Sequence, residues 1–93
     1  VLWSVELNPV KTDSPLAKRL AGFLLGQEPA AEASLKLKRI VAVTQAKAAD
    51  STSYFVELLA TTEAGETMLV QALVNELDDG KLGLLSFQMV EGG

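Results

Sequence analysis

TDSPLAKRLAGFLLGQ, residues 12–27, decides how the rest of this chain is read. The Ser14 side chain is placed to accept one of the free N–H groups of a first helical turn. Pro15 follows in the first helical position, where a missing N–H costs nothing. Leu16, Leu20, Phe23 and Leu24 recur at i, i+4, i+7 and i+8, which is one face of a helix, and Ala17 and Ala21 widen the stripe. Gly26 followed by Pro29 reads as the stop. Gly22 falls off the centre of the apolar face and costs about 1 kcal/mol against Ala in a helix interior. One apolar helical face needs something to cover it. Everything after Ala33 alternates in the manner of strands, so the expected cover is a sheet.

Working outward, residues 28–34 (EPAAEAS) read as a connection. Residues 35–45 (LKLKRIVAVTQ) begin by alternating, with Leu35 and Leu37 on one side and Lys36 and Lys38 on the other. Arg39 then stands where an apolar residue is due, which predicts one strand with a bulge near Arg39. Residues 46–53 (AKAADSTS) lack strand character and read as a connecting loop, partly β-paired. Residues 54–62 put Tyr54, Val56, Leu58 and Ala60 on one face, and Phe55, Glu57, Leu59 and Thr61 on the other. A turn at residues 63–66 leads to residues 67–75, where Met68, Val70, Ala72 and Val74 share a side. Residues 76–81 form a second turn, with Asp79-Gly80 a strong hairpin signal. The last strand covers residues 82–90, with Leu85, Phe87 and Met89 alternating, and residues 91–93 read as a frayed tail. At the other end, residues 1–7 (VLWSVEL) read as an edge strand or a loose arm that Asn8-Pro9 breaks. Short connections force antiparallel neighbours. The expectation is an α+β fold, a single domain over residues 1–93: one N-terminal helix covered by a four- to five-stranded antiparallel sheet.

Composition narrows the function classes. The 93 residues suffice for one small domain, and 48% are hydrophobic, which favours a packed core over disorder. With no Cys and no His, the chain has no disulfide, thiol nucleophile, Cys/His zinc site or His-based triad. A cysteine-free chain is compatible with oxidising and reducing compartments alike. The formal charge of −4 argues against a nucleic-acid partner. No apolar run approaches the roughly 20 residues that span a bilayer. The chain opens without Met and without a basic leader, so Val1 reads as the start of a trimmed or processed chain. Glu76, Asp78 and Asp79 gather at a turn, but without EF-hand spacing they read as a solvated hairpin tip. Lys36, Lys38, Arg39 and Lys47 read as the wet face of a strand. Nothing points to a cofactor, and no carboxylate pair forms a recognisable catalytic site, so an enzyme is the least supported class.

Three places in this order of elements resemble the cystatin family, and the plant cystatins most closely. Plant cystatins open with Gly-Gly-Trp-(Ser/Ala)-Pro-Ile, against Val1-Leu2-Trp3-Ser4-Val5 here. Their helix carries Leu/Ile-Ala-x-Phe-Ala-Val, against Leu20-Ala21-Gly22-Phe23-Leu24-Leu25. Their Gln-x-Val-x-Gly loop lies between the second and third strands, where this chain has Gln45-Ala46-Lys47-Ala48-Ala49. The resemblance spans nearly the whole chain and implies a curved sheet wrapped around the helix. It also implies a function without chemistry: a wedge that reversibly fills the cleft of a papain-like cysteine protease. The implied binding residues are Val1, Leu2 and Trp3 in the arm, Gln45, Ala46, Lys47, Ala48 and Ala49 in the first loop, and Leu77 and Asp78 in the second. Cystatin-like chains exchange elements between copies, so a domain-swapped dimer is compatible with the resemblance.

The wedge departs from the family at each of its three parts. Val1-Leu2 replaces a glycine pair that permits a bend and close backbone approach. Lys47 replaces Val and Ala49 replaces Gly in the first loop. If Asp50 is the aligned residue instead, the loop is residues 46–50 and keeps neither the Gln nor the Gly. Leu77-Asp78 stands where the family has Pro-Trp, exchanging an energy-bearing aromatic for a charge that must be desolvated. Two functions stay open from sequence: a protease inhibitor, and a non-inhibitory interaction module or subunit of the same fold. For the second, Leu59, Leu69 and Leu73 are the expected partner face, if they are exposed together.

Overall fold

The structure, a computed structural model, describes residues 5–91. The elements run β1 (Glu6–Val10), α1 (Pro15–Leu25), α2 (Glu28–Glu32), β2 (Lys36–Lys47), β3 (Thr52–Thr61), β4 (Thr67–Glu76) and β5 (Leu82–Glu91). The strands make one open antiparallel sheet in the order β1-β2-β3-β4-β5. The α+β expectation holds, with two short helices in place of one.

Helix α1 forms as its sequence dictates. Ser14 Oγ accepts from the Ala17 N–H at 3.2 Å, Pro15 opens the helix, and Gly26 closes it. Ala17, Leu20, Ala21 and Leu24 are buried against Tyr54, Val56, Leu58 and Ala60 of β3 and Val70, Ala72 and Val74 of β4. Leu16 and Phe23 pack at the margin of this core. The alternation expected for β3 and β4 holds, and the structure turns the Tyr54/Val56/Leu58/Ala60 and Val70/Ala72/Val74 faces inward. Gly22 lies on the wet face with nothing near its missing Cβ.

Four expectations are corrected. Asn8-Pro9 does not break the first strand: β1 runs through it, with Pro9 opposite Thr44. β1 is an edge strand, where proline's missing N–H removes no ladder bond if it faces outward. The connection after α1 contains α2, which ends in a Schellman motif: Leu35 N–H donates to Ala30 O and Ser34 N–H to Ala31 O, both at 3.1 Å. The buried pair Ala30 and Leu35 closes that motif, and Ser34 takes φ +52° to make it.

The third and fourth corrections come from bulges. β2 has 12 residues against 10 in β3, and the pairing absorbs the difference by skipping Lys38 and Val41. One bulge is thus next to Arg39 as expected, and a second was not foreseen. Leu35 ends up buried just before β2, whereas Leu37 is exposed, so the two do not share an environment. In β5 the pairing with β4 skips Leu85. Leu82 and Leu84 before the skip, and Phe87 and Met89 after it, face the core, while Leu85 is 55% exposed. An extra residue reverses which side chains point inward, because strand side chains alternate with a period of two.

Candidate binding edge

One row of paired residues crosses the whole sheet at one end: Glu6, Lys47, Thr52, Glu76 and Leu82. Three pieces of chain leave the sheet from this row. They are the segment preceding β1, the β2–β3 turn at residues 48–51, and the β4–β5 turn at residues 77–81. Antiparallel order makes this unavoidable once β1 pairs with the end of β2, since alternate connections of a meander lie at the same end.

The two turns are built differently. Residues 48–51 close tightly, with the Ala48 N–H donating to Ser51 O at 2.9 Å. Residues 78–80 form a three-residue hairpin loop closed by Leu77 and Lys81. The Gly80 N–H donates to Leu77 O at 2.9 Å, and the Leu77 N–H donates to Lys81 O at 2.8 Å. Gly80 takes φ +82°, the left-handed position this loop type requires. Asp79 Oδ1 accepts from the Lys81 N–H at 3.0 Å and stiffens the tip. The Arg19 guanidinium reaches from α1 to donate to the Gly80 carbonyl, tying this loop to the helix. Sequence offered no signal for that tether beyond a cation on the helix.

The ten expected site residues divide accordingly. Val1, Leu2 and Trp3 lie outside the described residues. Gln45, Ala46 and Lys47 belong to β2 and not to a loop, so the first loop is shorter than the sequence suggested. Gln45 is half-buried and spoken for: its Oε1 accepts from Asn8 Nδ2 at 3.4 Å, and its Nε2 donates to Tyr54 Oη at 3.5 Å. It fastens β1 and β3 to β2 and does not reach the tip. Lys47 is exposed at the edge, and Ala48 and Ala49 lead into the turn. A shallow concavity of about 390 Å³ opens among Glu6, Lys47, Ala48 and Ala49. Leu77, 45% exposed, and Asp78 stand at the second tip. Val5, 53% exposed before β1, and Asp50, the alternative aligned residue of the first loop, also stand at this edge, although neither was among the ten.

The chemistry of the edge is short side chains, isolated apolar groups and acid. Ala48 and Ala49 leave the backbone accessible, Val5 and Leu77 offer apolar surface, and the carboxylates of Glu6, Asp50, Glu76, Asp78 and Asp79 outnumber the amines of Lys47 and Lys81. Among the described residues, no helix is long and apolar enough to cross a membrane.

The face of the sheet away from α1 is a second surface. Leu59 stands opposite Leu69, and Phe55 opposite Leu73. Between these pairs Gln71 Nε2 donates to Glu57 Oε2 at 3.2 Å. Leu59, Leu69 and Leu73 are half-exposed and Phe55 is exposed, so the three leucines do share an outer face. Comparison with protein-family models, with curated proteins and with solved structures returns no match.

Proposed function

We propose that this chain is a cystatin-like protein inhibitor of papain-like cysteine proteases, a reversible plug and not an enzyme. The alignment of the chain before β1 and both hairpin turns along the row from Glu6 to Leu82 carries the reading. A cleft flanked by two walls is blocked by a narrow edge with several contact points in line. The sheet supplies that edge, since each turn is fixed by its own ladder and loses little freedom on binding. The small side chains of Ala48 and Ala49 let the turn approach a cleft floor closely. Leu77 contributes apolar area beside them. Inhibition requires no proton transfer: the plug occupies the place of the substrate.

The test is a titration of papain with the full chain, from nanomolar to high micromolar, reading hydrolysis of a small fluorogenic peptide. A reversible, competitive loss of activity is expected. Undiminished hydrolysis at high micromolar chain would refute the proposal.

A second reading, a non-inhibitory interaction module or subunit, has its own observation in the apolar pairs Leu59–Leu69 and Phe55–Leu73 on the uncovered sheet face. It requires that polar substitutions at Phe55 and Leu73 abolish partner capture while leaving papain unaffected.

A further inference from the structure

The two borders of the sheet are defended very differently. On one side β1 is only five residues long and contains Pro9. The part of β2 that β1 leaves uncovered carries Lys36, Lys38 and Arg39 and both bulges. Short length, proline, charge and bulges are the devices that keep open sheet borders from pairing with other chains. On the other side β5 is ten residues long, and its only irregularity is at Leu85. From Leu82 to Val90 it has no charge and no proline. Beyond the bulge, residues 86–90 pair regularly with β4 and leave their other side free.

We infer that β5 is a homodimerisation edge, pairing antiparallel with β5 of a second copy about a two-fold axis at Gln88. Two observations select a second copy. The stretch is uncharged, so two copies meet along it without like charges opposite each other, whereas the other border carries Lys36, Lys38 and Arg39. Its pattern is also self-complementary about Gln88. Residues directly opposite in an antiparallel pair share a face. With Gln88 on the axis, Phe87 meets Met89 of the second copy on the helix side, and Ser86 meets Val90 on the outer side. Gln88 meets its own counterpart, amide to amide. Phe87 and Met89 are only half-buried within one chain, and this pairing covers each with the other.

The geometry leaves the binding edge free. Gln88 is six residues along β5 from Leu82, about 20 Å at strand rise. The second copy runs the opposite way, so the two edges point outward at opposite ends of a continuous ten-stranded sheet.

Sedimentation equilibrium on the full chain, from micromolar to near-millimolar, tests this. The expected mass rises from one chain to two. Gln88 is exposed, so Gln88→Glu and Gln88→Lys leave the fold intact, which thermal unfolding verifies. Each variant alone sets like charges opposite one another and shifts dimerisation to roughly fivefold higher concentration or beyond. An equimolar mixture of the two restores dimers, because Glu then faces Lys. A wild-type chain that remains monomeric throughout overturns the inference. So do single variants that dimerise as the wild type does, or a mixture that does not recover.

Discussion

Ser34 offers the sharpest test of how the helical segment is joined to the sheet. It adopts φ +52° at the residue after the α2 cap, the one non-glycine residue at positive φ among those described. For an L-residue with a Cβ this conformation costs about 1–2 kcal/mol, and glycine escapes that cost. Glycine also gains entropy in the unfolded chain, worth about 0.4–1 kcal/mol against the native state. The Ser34 side chain is exposed, and the hydrogen bonds at this site come from backbone groups, so nothing else is lost on truncation. The balance for Ser34→Gly is a gain of about 0.5–1 kcal/mol. For a domain of this size that raises Tm by roughly 2–6 °C. Circular dichroism melts and urea titrations of both proteins give the difference. Ser34→Val is the counterpart: a β-branched residue at positive φ is expected to lower Tm. If Ser34→Gly melts below the wild type, the Schellman closure at Ala30, Ala31 and Leu35 is not the conformation adopted. Under the proposed function the same substitution leaves papain inhibition unchanged, because Ser34 sits at the end of the sheet opposite the candidate edge.

Gly22→Ala is expected to stabilise by about 0.5–1 kcal/mol, since the added Cβ meets open space on a helical backbone; a lower urea midpoint would contradict this. Leu24→Ala removes a fully buried side chain between α1 and the sheet and is expected to cost about 2–5 kcal/mol, read from chemical denaturation. Under the proposed function, Ala49→Gly combined with Asp78→Trp tightens papain inhibition by about tenfold, through closer backbone approach and an aromatic anchor in place of a desolvated charge. An unchanged inhibition constant in that variant would show that these turns do not enter the cleft.

The parts of the fold that sequence exposes are those governed by local rules. Ser14 and Pro15 begin α1 where a cap and a first-turn proline should, and β3 and β4 alternate without interruption, so the division of their residues into two faces reads correctly, while which face is inward comes from the structure. What escaped depends on where an element sits in the sheet. Pro9 looks like a break until β1 is known to lie at a border. A bulge announces itself only where a polar residue takes an apolar position. Arg39 gave that sign, whereas Val41 and Leu85 are apolar and gave none. The binding edge followed the same division. Asp79-Gly80 marked its loop clearly, but Gln45 looked available until its amide was seen engaged with Asn8 and Tyr54.

That engagement bears on how far the edge is free to change. Gln45 is a candidate site residue whose side chain is hydrogen-bonded to both neighbouring strands. Ala49, Leu77 and Asp78 stand in the turns beyond the end of the sheet and take no part in the core formed by Leu20, Leu24, Val56, Leu58 and Val70. Substitution at those tips changes the surface offered to a partner without removing anything buried, so it acts on affinity and leaves stability nearly untouched. The loop departures from the cystatin pattern are therefore no argument about the fold. Under the proposed function they bear on which protease the edge accepts, and the carboxylates of Asp50, Asp78 and Asp79 favour one with a basic rim.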